Sequence, residues 1–393
     1  MIASRLLDLL LVLTMLAFIG EGIRNGLARS FGAIVGVIVG GILAFLAIPL
    51  LAAAVPDSFW RVAVVVAVSV ALLVGGHAVG GLIGRSISER REEIGLGSRL
   101  AGGAANGVIA ALTLALVAGG VGALGVPLFS QAISGSYVVR VVETVTPAPV
   151  DALLARIRSA VLDEGLPAIG EALGGVVDSP GIPEVPTDTD PLTAAAQSVV
   201  RIGGTAYACG QNQTGSGFVV AADRIVTNAH VVAGVDQPIV EAPNGQSLEG
   251  RVVYFDPIDD LAIIAVDGLS AATLQLSPAL DVGAEAVVEG YPHGGPFTTG
   301  AAEVLARSTE SIPDIYGGSR SPREVYTLAA VVQPGNSGGP LLATDGRVAG
   351  VVFARSADDP ELGYAMTNVE LEPVASGAAG LSAPVSSGNC VRG

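Results

Sequence analysis

The sequence predicts two architectures in one chain. An α-helical membrane domain of four spans fills residues 1–130, and an all-β domain occupies residues 194–393. Three observations carry this reading. First, Leu6–Ile19, Phe31–Val55, Trp60–Ile83 and Ala101–Val126 are apolar runs separated by short charged segments. Second, charge is divided unevenly: residues 1–140 hold nine arginines against six acids, the remainder eleven against thirty, for a net charge of −16. Third, from about Ala194 short β-type runs alternate with turn residues.

The last three apolar runs are long enough to cross about 30 Å of hydrocarbon, and the first reaches that length only if it extends toward Ile23. No small-residue cleavage site follows the first run, and Gly20–Arg24 reads as a helix end, so a span is favoured over a signal peptide. Arg24, Arg29, Arg85, Arg90, Arg91 and Arg99 lie between spans 1–2 and 3–4, while only Arg5 and Arg61 flank the opposite side. The positive-inside rule then puts both chain ends, and the all-β domain, outside the cytoplasm. Gly32, Gly36 and Gly40, and likewise Gly76 and Gly80, recur four residues apart, which predicts close helix packing. Asp8 and His77 are ionisable groups at or near membrane depth; they read either as a proton relay or as polar groups satisfied inside a bundle.

Residues 131–193 connect the two parts. Val150, Leu153, Leu154, Ile157 and Val161 follow helical spacing, which predicts an amphipathic helix ending near Gly165. Gly174–Pro191 contains four prolines among Ser, Thr and Asp, the composition of an extended linker that does not pack. Such a linker is a spacer or a site of self-cleavage.

The β domain is expected to hold strands at Ser198–Tyr207, Gly217–Val220, Ile225–Thr227, Ile239–Ala242, Leu248–Phe255, Leu261–Val266, Ala286–Glu289, Ala302–Ala306, Val325–Val331, Leu341–Ala343 and Val348–Phe353, with a short helix over Thr367–Ala375. Asn244-Gly245 and Asp345-Gly346 are hairpin signals, because both dipeptides accept positive φ. Roughly a dozen short strands point to a sandwich or to barrels.

Composition excludes several chemistries. The chain has no lysine, which removes a Ser–Lys dyad, a Schiff base and a P-loop together. Only His77, His230 and His293 exist, so a multi-histidine metal site is disfavoured; no metal and no cofactor are expected. The acidic C-terminal part repels phosphate backbones and argues against nucleic acid.

What remains is nucleophilic chemistry. Gln333-Pro334-Gly335-Asn336-Ser337-Gly338-Gly339-Pro340 holds a serine between glycines, the setting in which a hydroxyl projects and amide N–H groups converge. Alone it equally describes a turn entering a buried strand. Thr227–Val232 supplies His230 107 residues earlier, and Asp259 or Asp260 stands between them, giving the order His, Asp, Ser. On the residues alone the two aspartates are nearly even. His293, in a Gly/Pro loop, reads as loop structure or a cleft-rim residue.

Thr227–Val232, Asp256–Leu261 and Pro334–Pro340 resemble the three signatures of trypsin-like serine proteases of the bacterial HtrA type, with Gly215–Phe218 and Gly363–Met366 similar to that branch's flanking strands. The resemblance covers about Ser198–Met366 and implies a chymotrypsin-like double β-barrel with the active site between the barrels. Its pattern places the acid directly before the Leu-Ala pair, which selects Asp260. It implies Ser337 as nucleophile, His230 as base, and the Gly335 and Ser337 N–H groups as oxyanion hole. Val331, Val332, Phe353 and Ala354 would line a small apolar substrate pocket, since Val331 stands where basic specificity would require an acid. The whole architecture resembles the MarP-like family of actinobacterial membrane-anchored proteases, associated with acid and oxidative stress resistance, whose membrane part is similar to colicin V production proteins. Only about 27 residues follow Met366, so a PDZ-gated oligomer is not expected.

Cys209 and Cys390 are the only cysteines and bracket the protease region. They read as a disulfide or as two thiols; an oxidising compartment favours the disulfide, worth at most roughly 5 kcal/mol in the chain-entropy account. The expected partners are membrane lipid and cell-envelope proteins or peptides, with cell-wall hydrolase precursors one candidate class. Two rival readings stand beside this one: a membrane scaffold or transport-associated protein whose protease-like domain binds peptides without cleaving them, and a hydrolase of esters.

Overall fold

The structure, a computed structural model, describes residues 2–54, 58–88, 95–123, 132–133, 136–147, 150, 168–169, 179–206 and 211–391. It divides into two compact units, one of residues 1–120 with 136–150, the other of residues 121–135 with 151–393. The expected amphipathic helix after Val150, the first part of the linker, Arg90, Arg91 and Cys209 lie outside the described residues.

In the first unit, α1 (Ile2–Ala54) is broken at Gly26, where φ 70° and ψ 175° leave the helical region. The break turns one long helix into two arms, at the boundary expected between the first two spans. α2 (Ser58–Ser88) packs against the second arm and α3 (Leu96–Ala123) against the first. The contacts are made by glycine. A Cβ added at Gly36 would overlap the Gly76 carbonyl, one at Gly32 the Gly80 carbonyl, and one at Gly22 the Gly102 carbonyl. With no side chain between them, the backbones touch, as the i+4 glycine spacing predicted.

Asp8 is satisfied structurally. Its carboxylate accepts from Ser136 Oγ, from Tyr137 N at 3.2 Å and from Val138 N at 3.1 Å, capping the N-terminus of α4 (Tyr137–Val145). A carboxylate there takes up otherwise orphaned amide donors and meets the positive end of the helix dipole. His77 Nε2 lies 3.9 Å from Glu21 Oε2, at a cavity of about 350 Å³ also lined by Asn25, Ser30 and Asn106. Among the described residues one segment, Ser4–Leu27, is long and apolar enough to cross a membrane; Ser30–Gly41 and Ala71–Gly84 are shorter apolar helices.

The second unit is a chymotrypsin-like double barrel. β2 (Val199–Ala206), β3 (Gln211–Ala221), β4 (Arg224–Thr227), β5 (Ile239–Glu241), β6 (Ser247–Asp256) and β7 (Leu261–Val266) close in the order β2-β3-β4-β7-β6-β5. β8 (Glu285–Gly290), β9 (Thr298–Pro313), β10 (Arg320–Ala329), β11 (Pro340–Ala343), β12 (Val348–Ser356) and β13 (Leu362–Thr367) form the second, ordered β12-β11-β8-β9-β10-β13 and closed by β12 on β13. A two-residue strand, β1 (Ala168–Ile169), runs parallel to β12.

The period-2 pleat explains how both barrels share one core. On β7, Ala262 and Ile264 point into the first barrel with Val200, Ile202 and Ile225. Ile263 points the other way, into a layer that also holds Phe218 and Val226 of the first barrel and Val287, Leu342 and Val351 of the second. β7 is therefore buried on both faces, which is why Leu261–Val266 reads as an unbroken apolar run. The second barrel's own interior holds Val288, Val304, Leu328, Leu341 and Ala365.

Two expectations change. The proline-rich stretch does pack from Ser179 onward: Val185 and Leu192 are buried in the inter-barrel layer. Proline fixes φ, so ordering this stretch costs less chain entropy than ordinary sequence would. β9 is also far longer than Ala302–Ala306, because its outer half is polar and pairs with β10 in an exposed hairpin.

Candidate active site

The site sits where the rims of the two barrels meet. A single turn of helix, Ala229–Val232, follows β4 and carries His230, which is 7 % exposed. Asp260 occupies the β6–β7 turn at φ 55°, a left-handed conformation that a non-glycine residue adopts only under constraint. The constraint is visible. His230 N donates to Asp260 Oδ1 at 2.9 Å, His230 Nδ1 lies 2.8 Å from Asp260 Oδ2, and Asn228 Nδ2 donates to the Asp260 carbonyl at 2.9 Å. Asp259 does not share this arrangement. It is half-buried, and burial together with the Asp256 charge pushes its carboxyl up while Arg323 pulls it down. Geometry thus joins His230 to Asp260 and leaves Asp259 outside the pair.

Ser337 is carried by the turn between β10 and β11. Gly335 at φ 93° and Gly338 at φ 81° hold conformations that L side chains rarely adopt, so glycine is required at both. The turn is bolted to the first barrel through Ser216 on β3: Ser216 N donates to the Ser337 carbonyl at 2.8 Å, and Ser216 Oγ donates to the Gly335 carbonyl at 2.7 Å. Thr227 Oγ1 donates in turn to the Ser216 carbonyl at 2.7 Å, which links the bolt to the segment leading into His230. From the other side His293 N donates to the Pro334 carbonyl at 2.5 Å, and Arg201 Nη1 to the Gly294 carbonyl at 2.6 Å. His293, at φ 56°, thereby supports the turn through its backbone. Ser216 was legible only as part of the Gly215–Phe218 resemblance; its hydroxyl's role depends on two barrels meeting.

Ser337 Oγ and His230 Nε2 are both buried, and neither has a hydrogen-bond partner among the described residues. Such bonds are often long in unliganded sites and shorten when substrate arrives. Among the described residues the Gly335 and Ser337 N–H groups donate to no backbone carbonyl. With Nδ1 engaged by Asp260, Nε2 is the nitrogen left to move a proton, and two unengaged amides beside Ser337 can receive a developing oxyanion.

The four expected pocket residues occupy three different settings. Val331 is 48 % exposed, while its neighbour Val332, on the opposite face of the chain, is buried in the second barrel. Phe353 and Ala354 are both buried in the inter-barrel layer; a register shift between Val352 and Ala354 disturbs the alternation that would otherwise separate them.

The comparisons with known proteins agree with this geometry. The trypsin-like peptidase domain matches residues 215–351, and the colicin V production protein matches residues 7–147. The serine protease Rv3671c (MarP) of Mycobacterium tuberculosis is 38 % identical over 273 residues, 67 % of this chain and 67 % of that protein. The crystal structure of the Rv3671c protease in its active form superposes with a TM-score of 0.52 at 39 % identity, covering 56 % of this chain and 99 % of that one. A DegP-like periplasmic serine endoprotease of Halomonas elongata is 35 % identical over 164 residues, 39 % of this chain and 32 % of its own. Fold and site define a trypsin-like serine protease of the HtrA/DegP type. The chain belongs to the family of the mycobacterial serine protease Rv3671c, and its substrates are peptides or proteins.

Proposed function

We propose that the chain is a multi-span membrane protein whose protease domain, residues 194–393, works outside the cytoplasm on cell-envelope proteins. In this reading residues 1–130 are a four-span membrane domain and residues 131–193 the connection to the protease. Ser337 Oγ attacks the peptide carbonyl, His230 Nε2 takes its proton and returns it to the leaving amine, and Asp260 holds the imidazole tautomer and balances the imidazolium. The Gly335 and Ser337 N–H groups stabilise the oxyanion; losing one such donor typically costs roughly 10²–10³ in rate. The observation that carries the assignment is the doubly bonded His230–Asp260 pair, at 2.9 and 2.8 Å, with the two unengaged groups, His230 Nε2 and Ser337 Oγ, left to react.

A role in acid or oxidative stress resistance, cell-wall hydrolase precursors as substrates, and self-cleavage in the linker belong to the same proposal. So does a Cys209–Cys390 disulfide. In its support, the chain has only these two cysteines, and no described cysteine is a free thiol. The tail before Cys390 is tied to the first barrel by Gly234 N donating to the Ser387 carbonyl at 3.0 Å and Val385 N to the Val252 carbonyl at 2.9 Å.

Treatment of the full-length chain with a fluorophosphonate probe tests the catalytic assignment. Ser337 is expected to carry the adduct, and labelling to vanish with His230→Ala. An adduct on another serine, or labelling indifferent to His230, would sink the assignment.

A further inference from the structure

We propose that the cavity of the helical unit is a binding site for a primary ammonium group, presented by an aminophospholipid headgroup. The proposal rests on the reading of residues 1–130 as a membrane domain and is independent of the protease chemistry.

The cavity, of about 350 Å³, lies where α1 breaks. Glu21 and Asn25 line it from the end of the first arm, Ser30 and Ala33 from the start of the second, His77 from α2 and Asn106 from α3. Loose packing does not account for it. Backbones touch at the Gly22–Gly102 crossing before the break and at the Gly32–Gly80 crossing after it. The break itself is pinned, since Leu27 N donates to Ser98 Oγ at 3.1 Å. Inside, the polar groups lack donors. Glu21 Oε2 and His77 Nε2 stand 3.9 Å apart, too far for a direct hydrogen bond, and the Phe18 ring, 5.8 Å from the imidazole, backs His77. Glu21 Oε1 accepts from Asn25 Nδ2 at the long distance of 3.4 Å. Asn106 Nδ2 donates to the Phe18 carbonyl at 3.3 Å, which leaves the oxygen of its amide over. Ser30 is 2 % exposed, and its Oγ has no hydrogen-bond partner among the described residues. A buried hydroxyl in that state is unfavourable until a ligand completes it.

Charge selects the ligand. Glu21 is the one acid of the lining, and no arginine of the lining opposes it. Among the described residues no three imidazole, thiol or carboxylate groups gather as metal ligands. A cation with several N–H bonds fits instead. An ammonium nitrogen about 2.9 Å from both Glu21 Oε2 and His77 Nε2 spans their gap and keeps a third N–H for a neutral oxygen of the lining. A quaternary ammonium has no N–H and is refused. Depth selects the source. Ser4–Leu27 is long and apolar enough to cross a membrane, and Glu21 stands about 26 Å along it at 1.5 Å per residue, which is headgroup depth. Ile23, Val79 and Leu82 are exposed on the same two helices, an apolar flank for acyl chains. Arg24, exposed and one turn on from Glu21, suits the phosphate of the same headgroup.

The test titrates the full-length chain, delipidated in detergent, with phosphatidylethanolamine, with phosphatidylcholine of the same acyl chains, and with free ethanolamine. Native mass spectrometry reads the bound mass. Phosphatidylethanolamine is expected to bind at least about tenfold more tightly than phosphatidylcholine, because methylation removes every N–H donor from a charged contact. Glu21→Gln is expected to erase that preference, and so is Ala33→Leu, which fills the cavity. Where Glu21→Gln does not fold, His77→Phe removes the second acceptor at similar volume and takes its place. Equal binding of the two lipids, or a preference that survives these substitutions, overturns the proposal. Ethanolamine binding without phosphatidylethanolamine binding would keep the ammonium site and overturn the lipid as its source. Release of the chain from membranes by alkaline carbonate would instead refute the membrane reading beneath it.

Discussion

The two barrels close in the same way, yet they differ in what they keep from water. The first barrel's interior is Val, Ile, Ala and Leu, with Val200, Ile202, Ile225 and Ile264 at its centre. It presents His230 and Asp260 at its rim and, among the described residues, holds no titrating group inside. The second barrel sends two ionisable side chains into the layer between the barrels, Glu289 from β8 and Arg323 from β10, at 0 % and 2 % exposure. It also carries the Ser337 turn. Apolar packing has no proton stake, whereas a buried acid or base ties stability to pH. The first barrel is therefore a fixed mount, and the second is the part whose packing answers to pH.

The largest expected effect comes from separating mount and turn. A Cβ at Gly338 would overlap the Ser216 carbonyl and Thr227 Oγ1 of the first barrel, at a φ of 81° that L residues avoid. Gly338→Ala is expected to lower kcat/KM by at least about 100-fold, since displacements near 1 Å carry that cost. Gly317→Ala is the control: its φ is 72°, but its Cβ meets nothing within 4 Å. That variant is expected to lose about 1 kcal/mol of stability and to keep its activity. Equal activity in the two variants would mean that the contact between the barrels does not set the turn.

Glu289 sharpens the contrast. Among the described residues neither of its carboxylate oxygens has a partner, and burial pushes its pKa from 4.5 up to about 8. The folded chain thus holds a proton that the unfolded chain releases near pH 4.5. The stability Glu289 contributes is complete below that value and is lost as pH rises through about 8. The shift corresponds to about 5 kcal/mol as a ceiling. Glu289→Gln should flatten the pH dependence of urea stability across this window and raise stability at pH 8. The near-UV tyrosine signal reports it, because six of the seven tyrosines lie beyond residue 193. An unchanged slope would put the pH dependence elsewhere.

The same contrast explains what could be read in advance. The glycines flanking Ser337 and the turns at Asn244-Gly245 and Asp345-Gly346 were legible because their requirement is local, a positive φ. Leu261–Val266 was legible because burial on both faces leaves a continuous apolar run. Glu289 and Arg323 were not. A charge within a strand reads as a solvated face, and only the meeting of two barrels makes that face an interior. The settings of the expected pocket residues were hidden for a related reason: Val331 and Val332 fall on opposite faces, and the register shift beside Phe353 is invisible in composition. In the helical unit, Gly26 lay between two expected spans, but that α1 would continue through it as two arms depends on the helices packed against each arm.

The first barrel supplies the reference for all of this. Ile264 is fully buried, pairs in register with Ile225 of β4 and packs among aliphatic side chains. Ile264→Ala should leave a cavity that this closed barrel cannot collapse to fill, at a cost of about 2–5 kcal/mol. Among the described residues the buried cluster around Ile264 holds no titrating group, so the loss is expected to be the same at pH 5 and pH 8. His230 and Asp260 are bonded to each other at the rim, and kcat should stay within about threefold of wild type at temperatures where the variant is folded, as for a loss of packing remote from the reacting atoms. Urea titrations at the two pH values decide it. A loss that changed with pH would mean that the first barrel's packing feels the ionisation of the layer beneath it. The division between a fixed mount and a titrating partner would then have to be given up.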